Sequence, residues 1–430
     1  MKRVLIISPY FAPSNAADMQ RVRTSLPYLK QFGWNADVVS VEDRFSDMVK
    51  DNLLSSSIPK NTKLHRVAAF PKKWTTKIGL GSIALRSLLF YRKYVNHLLK
   101  TEQFDLIYFS TTQFPVLILG SYWKKKFNIP YVIDMQDPWH SEYYQDKPKH
   151  QRPKKHWFSY RLNKYLEPLA MKHVDGLISV STGYINTLKN RYPNVRIIPK
   201  AVIPFSVSDI DFQIAAQHQD QLQLFFKKGA GFVNLVYVGR AGHDMKEAII
   251  LLFKAFTNGL KTQPEVFNKL RFYFIGTSYA KAGSGIKTIE PIAIQHQVEH
   301  YVTELTDRIS YYESLHNLLN ADALIVPGSN DPDYTASKIF PYILAQKPLL
   351  AIFNASSSVK IIMDQCNTGL FADLNRQMES VGRIYQFLED TAKKVNTISA
   401  LNHNAIAAYS AKTMTEKQCK LFNEVLNAIH

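Results

Sequence analysis

The feature that most constrains this chain is a rhythm of short apolar runs alternating with longer amphipathic stretches. Residues 4–8, 36–41, 105–110, 130–134, 176–180 and 195–199 read as strands. They are bounded by Gly, Pro and Asn, and several are apolar throughout, as strands buried on both faces tend to be. Residues 19–32 and 157–173 read as helices between them. The rhythm then restarts, with strands at 233–238, 271–275, 321–326 and 348–353 and helices at 246–256, 311–319 and 338–345. Repeated β-then-α order requires parallel sheets joined by right-handed crossovers. The expected fold class is therefore α/β, with two doubly wound Rossmann-like domains facing across a cleft. The expected divisions are an N-terminal domain at 1–205, a polar, Gln-rich linker at 206–230 and a C-terminal domain at 231–407. A C-terminal helix at 408–430 is expected to pack back on the first domain.

Several classes are disfavoured. The most apolar region, 79–91, is interrupted by Arg86 and falls short of the roughly 20 apolar residues a membrane span needs. The opening apolar run is too short for a secretion signal and meets Pro9 almost at once, so it reads as a first strand. Two cysteines, Cys366 and Cys419, offer neither a disulfide framework nor metal-ligand spacing, which suits a reducing cytoplasm. Neither first strand-to-helix turn carries Gly-x-Gly-x-x-Gly, which argues against a nicotinamide dehydrogenase.

Charge adds a second constraint. The net is +18. Residues 1–211 hold 32 Lys and Arg against 16 Asp and Glu, while the remainder holds 21 against 19. Ten basic residues and no acid lie between 52 and 101, and eight between Lys147 and Lys172 face only Glu167. Trp74, Leu88, Leu89 and Phe90 accompany the first cluster, and Trp157, Phe158 and Tyr160 the second. A solvated basic surface, an anionic bilayer face and stacked RNA all suit such clusters. No nucleic-acid motif is present, so an anionic membrane surface is the expected partner and nucleic acid is not.

Two motifs carry chemistry. The strand at 233–238 ends in Gly239-Arg240, and Lys246 follows in the next turn. Glycine lets a ligand approach the backbone, arginine offers a planar fork for phosphate, and lysine supplies a mobile charge. The strand at 321–326 leads into a polar loop bearing Asp331 and Asp333. A helix then opens near Thr335 or Ser337, with Lys338 in its first turn. A helix N-terminus at the C-terminal edge of a parallel sheet is a ready diphosphate site. Asp331 and Asp333 could instead hold Mg²⁺, but the proline between them and the helix behind favour a role without metal.

From Ser337 to Pro348 the chain reads Ser-Lys-Ile-Phe-Pro-Tyr-Ile-Leu-Ala-Gln-Lys-Pro. This stretch resembles the donor-binding segment of retaining glycosyltransferases of family four, which have the GT-B fold. Residues 1–33, the Asp134-Met135-Gln136-Asp137-Pro138-Trp139 region, 174–181, and Arg308 to Glu313 with Asn320 to Ala323 are similar to further parts of that family. The resemblance implies sugar transfer from a nucleotide-diphosphate-sugar to a polysaccharide or lipid-linked acceptor, with retained configuration and with neither cofactor nor metal. It implies that Gly239, Arg240, Lys246, Thr335, Ser337 and Lys338 bind the donor. Asp333 would contact the donor sugar and Asp137 would lie near the reacting centre. Asn15, Arg21 and Arg23 would lie on the acceptor side. Pro341 stands where the family has a ribose-holding Glu, and Met135 and Gln136 stand where many relatives have a catalytic His. The nearest histidine, His140, reads as a surface residue. The alternative reading is a nucleotide-sugar-binding protein without catalysis.

Overall fold

The computed structural model describes residues 1–76, 79–142, 145, 152, 156–206, 208–229, 231–329, 338–395 and 401–428. The chain divides into two compact units, Met1–Ser208 with Ser410–His430, and Asp209–Tyr409.

The first unit is built on a seven-stranded sheet in the order β3-β2-β1-β4-β5-β6-β7. The strands are β1 Lys2–Ile7, β2 Trp34–Val41, β3 Lys63–Val67, β4 Leu106–Ser110, β5 Tyr131–Met135, β6 Gly176–Ser179 and β7 Lys200–Val202. Every ladder is parallel. β4 and β5 are buried along their whole length, which explains their mostly apolar sequences. The expected strand at 195–199 is corrected. Residues Pro193–Arg196 form a 3-10 turn, and β7 starts only at Lys200. The Lys200 ammonium donates to the carbonyls of Val195 and Arg196, both at 3.0 Å, and so holds that turn closed. The expected helix at 19–32 is broken: Gln20–Ser25 is helical, and after Pro27 only a 3-10 turn, Leu29–Phe32, follows. Proline lacks the N–H that would continue the helix.

The helix Ala411–Asn427 completes this unit by packing on Gln20–Ser25, β6 and β7. Its Phe422 ring meets Trp34 and Tyr108 edge-on, at 5.3 and 5.0 Å. Gly176 is glycine because a Cβ there would lie 2.5 Å from Val425.

The second unit has a six-stranded parallel sheet in the order β10-β9-β8-β11-β12-β13. Its strands are β8 Val233–Val238, β9 Leu270–Ile275, β10 Val302–Leu305, β11 Ala323–Pro327, β12 Leu349–Phe353 and β13 Leu370–Asp373. The stretch read as a linker contains the helix Asp209–Gln217, whose buried Asp211 accepts from the hydroxyls of Tyr311 and Tyr312, each at 3.0 Å. The helix Tyr311–Asn320 opens on a capping box formed by Ser310 and Glu313. In both sheets the strand order reverses beside the first strand, between β1 and β4 and between β8 and β11. Ligands of open parallel sheets bind beyond the strands' C-terminal ends at such switch points. Among the described residues, no helix is long and apolar enough to cross a membrane.

Phe422→Ala is expected to lower the unfolding free energy of the first unit by about 3–5 kcal/mol, the usual result of deleting a buried ring. Urea unfolding followed by tryptophan fluorescence checks this through Trp34.

Candidate functional site

At the β8–β11 switch point the structure gathers positive charge around two glycines. β8 ends at Gly239, whose φ of 150° is a conformation that favours glycine. A Cβ there would stand 2.6 Å from Lys338 Nζ and 3.1 Å from the Tyr237 hydroxyl. The lysine ammonium therefore occupies the space that any other residue would fill. The surrounding backbone is pinned by two tyrosines. The Tyr237 hydroxyl donates to the Arg240 carbonyl at 2.7 Å. The Tyr342 hydroxyl accepts from the Val238 N–H at 2.8 Å and donates to its carbonyl at 3.0 Å. Pairing of β8 with β11 stops at Val236, so Tyr342 takes over where the ladder has ended.

Arg240 forks onto Asp244, with Nη1 to Oδ1 at 3.0 Å and Nη2 to Oδ2 at 2.8 Å. A Cβ at Gly242 would strike both partners, at 2.0 and 2.3 Å. Burial above all, then the charges of Arg240 and Arg308, pull the Lys338 pKa down to about 8, against the weaker pull of Asp244. Arg308 is exposed in the turn after β10, its guanidinium 5.3 Å from the Tyr279 ring centre. Sequence reading quoted Arg308 within a family motif without giving it a role in the site. Only the fold brings it within range of Lys338. Lys246 is exposed at the first residue of the helix Lys246–Thr262, and no hydrogen bond or ion pair among the described residues joins it to this cluster. Asp333, Thr335 and Ser337 lie outside the described residues.

The first unit has its own cluster beyond the C-terminal ends of β1, β4 and β5. Asp18 is buried, and one carboxylate oxygen accepts from the Thr111 hydroxyl at 2.7 Å, the Thr112 N–H at 3.0 Å and the Thr112 hydroxyl at 3.3 Å. Burial raises its pKa, and these hydrogen bonds oppose the rise. Asp137, in the turn after β5, reaches solvent. Packing around its carboxyl, and then the Asp18 carboxylate, raise its pKa as well. Asn15 is buried in the loop after β1, which its N–H ties to the Val49 carbonyl at 2.8 Å.

Arg21 and Arg23, expected to line the acceptor side, are buried and engaged within the unit. Arg21 Nε lies 2.7 Å from Asp134 Oδ2, and its Nη2 donates to the Ile203 carbonyl at 2.7 Å. Arg23 donates to Gln20 Oε1 at 2.8 Å and to the Ser57 hydroxyl at 2.6 Å. Both brace the frame beneath that side and present no open guanidinium to a ligand. His140, read as a surface residue, is instead buried. Burial, then the charge of Arg191, lowers its pKa.

The whole chain can now be set beside known proteins. Alr3699/HepE of Anabaena, solved in complex with UDP, superposes with a TM-score of 0.55 at 14% identity, over 98% of this chain and 100% of that one. A TarM mutant of S. aureus, solved with fondaparinux, alpha-GlcNAc-glycerol and UDP, gives a TM-score of 0.57 at 12% identity, over 98% and 100%. The alpha,alpha-trehalose-phosphate synthase (UDP-forming) of Burkholderia xenovorans, in complex with glucose-6-phosphate, gives 0.58 at 11% identity, over 97% and 99%. No curated protein matches the chain in sequence. At such low identities these likenesses establish the fold, which is GT-B. Residues 19–204 match the model of Glycosyltransferase Family 4. The chain thus has the GT-B fold and, over a little under half of its length, resembles Glycosyltransferase Family 4.

Tyr342→Phe strips both polar groups of Val238 of their side-chain partner. It is expected to destabilise the second unit by about 1–3 kcal/mol, the usual penalty for buried unsatisfied groups. Thermal unfolding of the purified variant checks this.

Proposed function

We propose that this glycosyltransferase moves a sugar from a nucleotide-diphosphate-sugar to a saccharide or lipid-linked acceptor, with retention of configuration and without a metal ion. The observation that carries the donor half is the Arg240–Lys338–Arg308 cluster at the β8–β11 switch point, with Asp244 as the carboxylate opposing it. As a glycosidic bond to diphosphate breaks, negative charge grows on the leaving oxygens. Cations fixed in advance stabilise that charge without reorganising. Gly239 lets the diphosphate approach the strand end, and the family resemblance assigns further donors to Ser337 and Thr335. Asp333 contacts the donor sugar. The HepE and TarM complexes hold UDP, which makes a UDP-sugar the first donor to test.

On the acceptor side, Asp137 takes the acceptor hydroxyl. Its raised pKa makes it a better proton acceptor than an ordinary surface carboxylate. Arg21, Arg23 and Asn15 act there through the frame they hold. Retention and independence of metal are carried over from the family resemblance. The basic, aromatic-bearing surface of the first unit supports an acceptor held at an anionic membrane face, as in the building of a surface polysaccharide.

Arg240→Ala and Lys338→Ala are each expected to slow transfer from a labelled UDP-sugar at least tenfold, toward the 10²–10³-fold typical of losing one such donor. Their melting temperatures should match the parent's. Pure variants that transfer at the parental rate would put the diphosphate elsewhere. Binding of UDP-sugars by the parent with neither transfer nor hydrolysis would make the chain a binder only.

The Lys338 pKa of about 8 gives a second test. A bound diphosphate raises that pKa, so binding takes up a proton wherever the free lysine is neutral. Affinity for UDP should be level below about pH 8 and weaken above it by up to about tenfold per pH unit, while the phosphate, already ionised by about pH 7, does not change. In Lys338→Arg the profile should be flat. Calorimetric titration between pH 7 and 9.5, as an approximate range, checks both.

A further inference from the structure

One helix face of the first unit interleaves exposed basic residues with exposed aromatic rings. Along the helix His156–Met171 the inward side carries Leu166, Glu167, Ala170 and Met171, all buried. The outward side repeats at helical spacing as Trp157, Arg161, Lys164, Tyr165 and Leu169, with Lys172 just past the end, and all six are exposed. Trp157 is 65% exposed and Tyr165 69%. The Arg161 guanidinium lies 5.7 Å from the Trp157 ring centre. Glu167, the helix's one acid, points inward. It accepts from the Tyr192 hydroxyl at 2.8 Å and the His140 N–H at 2.9 Å, and it pairs with Arg191. The helix thus contributes rings and positive charge to that side and no acid of its own, while the exposed Glu142 carboxylate at its flank accepts from the Tyr160 hydroxyl at 2.9 Å.

We infer that this outward face is the docking surface for an anionic lipid bilayer. The inference rests on the membrane-face acceptor proposed above and names the part of the chain that meets the membrane. Tryptophan and tyrosine belong at the level of lipid headgroups, where an amphipathic ring is half wet. Lysine and arginine lay their stems along apolar surface and reach outward to phosphate. A basic surface to which the helix adds no acid suits an anionic partner. The preceding segment extends the surface. Lys73 and Trp74 are exposed, Trp74 by 64%, and Gly79 lies against the Phe158 ring in the helix's first turn.

The inner face of the same helix holds the acceptor-side turn. Asn163 accepts from Trp139 Nε1 at 3.1 Å and donates to the Trp139 carbonyl at 3.3 Å, while Glu167 takes the His140 N–H. A bilayer on the outer face therefore sits about one helix diameter, ~10 Å, from the turn that begins at Asp137.

Co-flotation of the full chain tests this, using vesicles of phosphatidylcholine alone and of phosphatidylcholine mixed with phosphatidylglycerol. The parent should float with the mixed vesicles only. Arg161→Gln with Lys164→Gln should reduce that partition by about fivefold for each basic residue removed. Trp157→Ser with Tyr165→Ser should reduce it on every anionic composition. Lys412→Gln with Lys420→Gln, which removes the same charge from exposed positions of the C-terminal helix, should leave it unchanged. Equal flotation of the parent with both vesicles would overturn the inference. So would equal losses from the two charge pairs, or undiminished flotation of the first pair together with its release from RNA. Protection of each protein by UDP in a thermal shift is read separately. Flotation lost in the parent with UDP protection intact sinks the docking surface alone. UDP protection absent with face-specific flotation intact sinks the donor reading and supports the docking surface.

Discussion

An ammonium ion pressed against a glycine is the constraint on which the second unit turns. Lys338 Nζ lies 2.6 Å from where a Cβ of residue 239 would be, with Arg240 and Arg308 near enough to repel it. A fall in pKa from 10.5 to about 8 means that this environment disfavours the charged form by about 3 kcal/mol. Such a cost persists only where the surroundings hold the groups in place. On the proposed reading it is also what a diphosphate would relieve on arrival.

The surroundings do hold. Tyr342 fixes the end of β8, and Tyr237 fixes the Arg240 carbonyl. The next carbonyl, Ala241, accepts from the Thr288 hydroxyl at 2.9 Å. Thr288 in turn donates its N–H to Glu304, whose buried carboxylate also accepts from the Thr277 hydroxyl and from the N–H groups of Ile289 and Glu290. A chain of hydrogen bonds thus runs from β10 through the loop after β9 to the arginine turn. Gly242 leaves the only space in which Arg240 and Asp244 can face each other as a fork. Preorganised donors are effective because their supports do not move when charge develops.

What the sequence made legible follows the strength of the physical signal. Strands buried on both faces, such as β11 and β12, announce themselves as unbroken apolar runs, and β4 and β5 nearly do, broken only by Ser110 and Asp134. The outer strands β3 and β10 and the sheet edge β13 carry Lys63, Arg66, Glu304 and Asp373, and so passed unread. The run at 195–199 is apolar, yet Ile197 is 87% exposed, because a lysine cap and a 3-10 turn outweigh propensity there. Gly239, Arg240 and Lys338 were readable because a glycine at a strand end and a lysine opening a helix form local patterns. Arg308 was not, because its part depends on three segments far apart in sequence. The burial of Arg21 and Arg23 was equally hidden. Their partners are a carbonyl at Ile203 and a hydroxyl at Ser57, which no spacing rule connects to them.

The same arginines change what the net charge means. Arg21, Arg23 and Arg86 are interior, and Arg86 donates to the carbonyls of Phe70 and Phe45 at 2.9 Å each, so it ties loops together instead of addressing a partner. Arg191 and Lys124 are paired with the buried carboxylates of Glu167 and Asp175. A composition-wide excess therefore overstates the field outside the first unit and says nothing of where it is strongest. That is decided by which cations lack an acid on their own face. On the His156–Met171 helix, turning Glu167 inward removes the helix's own acid from the side that bears Arg161 and Lys164. One buried ion pair thus stabilises the turn after β5 and takes the helix's acid away from its opposite, basic face.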